Sequence, residues 1–292
     1  MKKLCLLLSA VLLLACLSGC GVAAGQTGND PYNTPLPDVP GDPVQTRSWT
    51  LSIREEERNV CAEDGRLLVQ ASYARPELVE DGDGEVVTTN EAVAVALNRY
   101  FEDWMTQQLQ FLDDVAEMAQ EHYGLSDGED ERWGTEGYSY TDIVKTDYWR
   151  GGRLLCFRME YSTYSGGAHP NSWREAVSFD LATGRTVTVP DLTDDLEGLK
   201  AAVTDKLLLA ITQTDTWTEY GADGFFPDYA GTVAEWMDKT LLFGDEGIAV
   251  VFNAYDIASY AAGEQAFLLP YSFLQPYLND YAVTLLGLDS SR

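Results

Sequence analysis

The chain has 292 residues, of which 47 are Asp or Glu and 19 are Lys or Arg, for a formal net charge of -28. So acidic a surface excludes nucleic acid, whose phosphates are bound by the Lys and Arg that neutralise them, and it argues against broad contact with anionic lipid. It suits a basic partner, which opposite charge would steer into contact, or it serves only to keep a surface protein soluble; hydrophobic residues at 45% are enough for a real core.

The chain opens MKK, runs apolar over residues 4–17 and then reads LSGCG. A basic start, a short apolar run and small residues ahead of a cysteine make a secretory signal peptide over residues 1–19. The run is shorter than the roughly 20 residues a membrane-spanning helix needs. Leu17-Ser18-Gly19-Cys20 resembles a bacterial lipobox, which implies cleavage before Cys20, acylation there with chains such as palmitate, and a protein anchored by lipid to the outer face of the cell membrane. Loss of Lys2 and Lys3 takes the formal charge from -28 to -30, and Cys5 and Cys16 leave with them. Cys61 and Cys156 then remain, either as one bridge, which persists outside the cytoplasm, or as two buried thiols. Residues 20–46 are rich in Gly, Pro and small polar residues without a period, as a flexible tether is.

From Trp49, WTLSIREEER alternates as a half-buried strand does. The Asp64-Gly65 turn and RLLVQASYAR complete a hairpin with it. Residues 80–85, EDGDGE, read as a solvated acidic loop. They begin like an EF-hand, but the sixth position is Val86 rather than Gly and no Glu stands at the twelfth. Thr88, Thr89 and Asn90 are N-cap candidates for one long helix. Its apolar stripe is Val93, Leu97, Tyr100, Trp104, Phe111, Val115 and Met118, and Gly124 ends it. Residues 125–136 form a second acidic loop.

GYSYTDIVKTDYW is β-prone, and Arg150-Gly151-Gly152 turns it into RLLCFRMEYSTY. After SGGAHPNS, a strand WREAVSFDL leads through ATGR to TVTVP, which completes an antiparallel meander. Residues 194–214 show helical spacing at Leu196, Leu199, Val203, Leu207 and Ala210. Residues 229–238 form a shorter helix, TLLF and IAVVF a hairpin about GDEG, residues 253–264 a loop, EQAFLLP a strand, and residues 271–278 a short helix. Strands and helices in separate runs predict an α+β fold. It comprises antiparallel β-sheets packed with one long and two or three shorter helices, in an N-terminal lobe (residues 47–190) and a C-terminal lobe (residues 191–292).

Only two histidines occur, His122 and His169. As a general base, His169 needs an orienting carboxylate and a nucleophile or substrate, and Ser165 and Ser172 are near it only in sequence. Gly166 and Gly167 permit positive φ, Pro170 fixes the next turn, and Asn171 can bond its own backbone. The first reading is therefore a tight turn tied by His169, the second a ligand-contacting loop, the third catalysis. Without paired HxxxH or CxxC spacing no zinc site is expected, and no cofactor is implied. Among 47 acidic residues no carboxylate pair for glycoside hydrolysis stands out. Residues 253–260, NAYDIASY, bring Tyr255, Asp256 and Tyr260 onto one loop, where they either contact a basic protein or sugar or pack the loop onto the sheet.

Three segments, YSTYSGGAHPN, FDLATGRTVTVPDL and VFNAYDIASYAAGEQAFLLPYSFL, resemble in order and spacing the extracellular module of RsiV-type anti-sigma factors and the non-catalytic domain of PdaC-type peptidoglycan deacetylases. The resemblance covers roughly residues 47–285. It implies an extracellular binding module, for lysozyme in the first family. The cytoplasmic segment and transmembrane helix of RsiV-type proteins are replaced here by the lipid anchor, which removes direct sigma-factor sequestration. The metal-bearing catalytic domain of the deacetylases is not expected. The expectation is a non-enzymatic lipoprotein that binds a cationic cell-wall hydrolase such as lysozyme, or peptidoglycan, through His169, Asn171, Tyr255, Asp256 and Tyr260. The alternatives are a wall-polymer hydrolase using His169 and a structural lipoprotein of the envelope.

Overall fold

Alternating burial makes strands of the first described residues. β1 (Thr46–Glu57) pairs antiparallel with β3 (Leu67–Val79), from Thr50 opposite Val79 to Glu57 opposite Ser72. The short β2 (Val60–Cys61) lies beside the start of β3. Gly65 turns between β2 and β3 at φ +87, a conformation open to glycine without steric cost. The computed structural model describes residues 46–125, 139–213 and 224–288. The expected signal peptide, Cys20 and the tether up to residue 45 lie outside them, as do residues 126–136 of the second acidic loop.

β4 (Glu85–Asn90) is a strand where helix caps were expected. It pairs with β1, from Thr46 opposite Asn90 to Leu51 opposite Glu85. Thr89 donates its hydroxyl to Leu181 O at 2.6 Å, and of the three cap candidates only Asn90 caps, its Oδ1 accepting from Val93 N at 3.0 Å. α1 (Glu91–Leu125) follows directly. It buries Val93, Leu97, Trp104 and Val115 as expected, but also Phe101, Leu112 and Ala119, while Phe111 and Met118 are 41% and 36% exposed. At about 100° per residue, Tyr100, Phe111 and Met118 fall on the flank of the buried face, whose centre runs through Phe101 and Leu112. Gly124 sits inside the last turn rather than ending it.

Because α1 crosses over the sheet, β5 (Tyr140–Gly151) returns parallel to β3, Val69 opposite Tyr140. β6 (Leu154–Tyr164) and β7 (Asn171–Asp180) continue the antiparallel meander. The path of the sheet is β4-β1-β3-β5-β6-β7, with β2 on β3. TVTVP does not form a strand. After one bridge, Phe179 to Thr186, it tightens into a 3-10 turn (Val189–Leu192). Pro190 lacks the amide a ladder needs, and Asp191 Oδ2 accepts from both Thr188 N and Thr188 Oγ1 at 2.8 Å.

α2 (Leu196–Thr212) starts at Asp195, whose Oδ1 accepts from Gly198 N at 2.9 Å. α3 (Tyr229–Ala234) runs into a 3-10 turn (Trp236–Asp238). β8 (Thr240–Phe243), β9 (Gly247–Phe252) and β10 (Gln265–Pro270) form a second, antiparallel sheet in the order β10-β9-β8. α4 (Tyr271–Leu274) follows. α5 (Asp280–Leu286), not expected from the sequence, is capped by Asn279, whose Oδ1 accepts from Ala282 N at 2.9 Å. No helix among the described residues is long and apolar enough to cross a membrane.

Two cores flank the large sheet, and β6 serves both, since successive residues of a strand point to opposite faces. Leu155, Phe157 and Met159 face α1 in the first core. Leu154 and Cys156 join Val203, Leu207, Trp236, Phe252 and Leu285 in the second. The two expected lobes therefore share this sheet. Cys61 and Cys156 are free thiols, the one exposed and the other buried, so the bridge does not form. β3 and β5 lie between β2 and β6; at about 4.8 Å per strand step that exceeds the roughly 7 Å Cα reach of a disulfide. Burial pushes the Cys156 thiol up.

Candidate functional site

The turn between β6 and β7 is built on Gly166 and Gly167, at φ +93 and +102. The left-handed region they occupy costs a side chain of L configuration about 1–2 kcal/mol. Tyr164 Oη donates to Gly167 O at 3.1 Å and holds the turn from below. Tyr140 lies under Gly166, where an added Cβ would stand 3.2 Å from its Oη. Tyr140 Oη is in turn 3.0 Å from His122 Nδ1, so both histidines flank this turn.

His169 Nδ1 is 2.9 Å from Pro170 O. A carbonyl only accepts, so Nδ1 carries the proton and Nε2 of the neutral ring is the acceptor. Tyr255 Oη stands 3.4 Å from that Nε2. The imidazole stacks on Tyr260, with ring centroids 3.6 Å apart at 13°, and Tyr260 Oη donates to Pro170 O at 2.8 Å. The Tyr255 ring lies 6.5 Å from His169 and 5.7 Å from Tyr260. The two segments singled out in the sequence thus meet in one aromatic rim.

The loop of residues 253–260 is fastened to the edge of β7. Asn253 Oδ1 accepts from Arg174 N at 2.8 Å and Asn253 Nδ2 donates to Arg174 O at 3.1 Å, in the manner of a strand partner. Asp256 closes the loop base: Oδ2 accepts from Asn253 N and Oδ1 from Lys239 Nζ, both at 2.8 Å. Ile257 and Ala258 are buried beneath. With its base tied and its far side buried, the loop holds Tyr255 at φ +72 and 54% exposed. Asp256 therefore belongs to the framework of the loop, both carboxylate oxygens engaged, and not to its outer edge. Asn171 is exposed at the start of β7, opposite Thr163.

Sequence reasoning missed Arg174, which lies beneath the rim. Its guanidinium pairs with Glu264 at 2.9 Å and approaches Glu160 at 3.7 Å. Burial pushes the Glu264 carboxyl up, against the pull of Arg174 and with the push of Glu160. It also missed Asp142, 1% exposed, which accepts from Tyr73 Oη at 2.5 Å and Thr163 Oγ1 at 3.2 Å. Desolvation raises this carboxyl, opposed by the two hydroxyls. Neither had a local signal, because Arg174 meets Glu264 across 90 residues and Asp142 meets Tyr73 across 69. Where a catalytic triad would place a carboxylate on the imidazole, His169 has a backbone carbonyl. Among the described residues no three His, Cys, Asp or Glu side chains gather as a metal site.

Residues 191–272, which include the Tyr255 loop, match the model of DUF3298, described as a protein family of unknown function. A DUF3298 member from Bacteroides fragilis has a similar structure over 82% of this chain and 98% of its own, at 17% identity and a TM-score of 0.59. A DUF3298 protein from Pseudomonas aeruginosa matches over 82% and 97% at 15% identity and a TM-score of 0.41. At such identity the Bacteroides structure shows a shared fold alone. No curated protein matches the chain.

Proposed function

We propose that this is an extracytoplasmic binding module, tethered by lipid at Cys20 to the outer face of the membrane. It takes a cationic protein, of the lysozyme type, at the rim formed by His169, Tyr255 and Tyr260. The observation that carries this reading is the convergence of Tyr255 and His169, 86 residues apart, with Tyr255 held outward in a left-handed conformation. A Lys or Arg of the partner is attracted to the face of a tyrosine ring, the more so once contact desolvates it, and the surrounding acidity draws such a partner in. The RsiV-like order of the three sequence segments supports the same class of ligand. His169 is tied into the turn by its contact with Pro170 O and its stack on Tyr260, which supports a structural imidazole and so binding over hydrolysis of wall polymer.

Calorimetry of the mature chain with lysozyme at low salt tests the proposal. Heat of binding together with inhibition of the hydrolase is expected. Absence of both heat and inhibition would overturn it, and if purified sacculi then captured the chain through Tyr255, the ligand would be peptidoglycan.

A further inference from the structure

A second feature lies at the opposite end of the β6–β7 pair. The aromatic rim flanks the pairing of Thr163 with Asn171, whereas a cleft of about 710 Å³ borders the pairing of Leu154 with Asp180. Along a strand of this length the two are roughly 30 Å apart. The cleft opens between β4 and the tight β5–β6 turn, and its volume suits a small ligand.

Its charged lining is Arg150 and Arg153, with no carboxylate, in a chain of 47 acidic and 19 Lys and Arg residues. Each guanidinium pairs with a carboxylate that lies outside the lining. Arg150 pairs with Glu85 at 2.8 Å and donates to Val86 O at 3.1 Å. Arg153 pairs with Asp180 at 3.3 Å and lies over the Tyr281 ring at 5.8 Å. Asp180 also accepts from Ala182 N at 2.9 Å and Tyr281 Oη at 3.2 Å, which fixes the carboxylate that orients Arg153. Arg153 Nε is buried without a hydrogen-bond partner, although the side chain is 40% exposed. The exposed hydroxyls of Thr46 and Thr88 and the Asn90 amide complete a set of donors, and Val86, 57% exposed, adds an apolar wall.

We propose that this cleft binds a phosphate group carried on a small organic body, with Arg150 and Arg153 as the charge-bearing forks. Planar guanidiniums fit phosphate oxygens in pairs, Thr46 and Thr88 supply neutral donors, and Val86 faces the carbon skeleton. The group is a soluble phosphate ester or the headgroup of a lipid. The cleft is remote from the aromatic rim, so its occupancy stands or falls independently of lysozyme binding.

The test uses residues 21–292, without Cys20 and so without the proposed acyl anchor, titrated calorimetrically with glycerol phosphate and floated with phosphatidylglycerol vesicles. Saturable binding of glycerol phosphate, competed by inorganic phosphate, is expected. Arg150→Gln should weaken it about tenfold or more, as loss of a charge-assisted bond does. Thr88→Glu, on an exposed edge position, should abolish it at unchanged melting temperature. Flotation lost in the same two variants assigns the phosphate to lipid, and binding of the soluble ester without flotation assigns it to a solute. Absence of both in the wild type, or binding that survives both substitutions, overturns the proposal.

Discussion

Tyr255 is the one non-glycine residue with positive φ among those described. A tyrosine there costs about 1–2 kcal/mol relative to a residue at ease in the left-handed region. Asparagine tolerates that region, so Tyr255→Asn keeps the loop and removes the ring. Its stability should stay within about 1 kcal/mol of wild type, while affinity for a protein ligand falls about tenfold or more, as for an aromatic anchor. Chemical denaturation and calorimetry on one preparation decide, and unchanged affinity would remove Tyr255 from the contact. Asp142 is a residue of the opposite kind, a carboxyl held up by burial. Between its ordinary value of 3.8 and the raised one, the native state holds a proton that the unfolded chain has released. Stability therefore falls as pH rises through that interval. Asp142→Asn should flatten this slope in urea melts taken from about pH 4 to pH 7. Asp142→Ala, which strands the hydroxyls of Tyr73 and Thr163, should cost about 2–4 kcal/mol.

Among the elements, α1 separates what periodicity reveals from what it leaves open. Its length and amphipathic spacing were readable, but two neighbouring stripes fitted the pattern, and packing against β6 selected the one through Phe101. Phe101 is fully buried and meets Phe157 edge-on at 4.8 Å. Phe101→Ala should therefore cost about 3–5 kcal/mol, and Phe111→Ala less than about 1 kcal/mol, in the same denaturation assay. A reversed order would mean that the other stripe faces the sheet. β4 was hidden because it runs without a break from an acidic turn into the helix, and its threonines suit a cap as well as a strand. The 3-10 turn at Pro190 replaced an expected strand because a proline amide cannot join a ladder. At the rim the sequence marked His169, Tyr255 and Tyr260 but not their stacking, which depends on Asn253 gripping the backbone of Arg174 across 79 residues. Local patterns carry no information about such a contact, and the same holds for the parallel pairing of β3 with β5.

At the scale of the whole molecule, charge and contact separate. A net charge of -28 acts at long range and is screened over a Debye length of about 10 Å at 0.1 M salt. The aromatic rim acts only after the surfaces touch. For a cationic ligand the first governs association and the second dissociation. Raising salt from about 0.05 M to about 0.5 M should then lower the association rate about tenfold or more and leave the dissociation rate within about twofold. Tyr255→Asn should do the reverse, speeding dissociation at every salt concentration while association holds. Rapid-mixing kinetics of the mature chain against lysozyme separates the two rates. If salt instead accelerated dissociation and the Tyr255 substitution left it unchanged, the partner would be held by ion pairs on the acidic surface, and the rim of His169, Tyr255 and Tyr260 would be a purely structural closure of the β6–β7 turn.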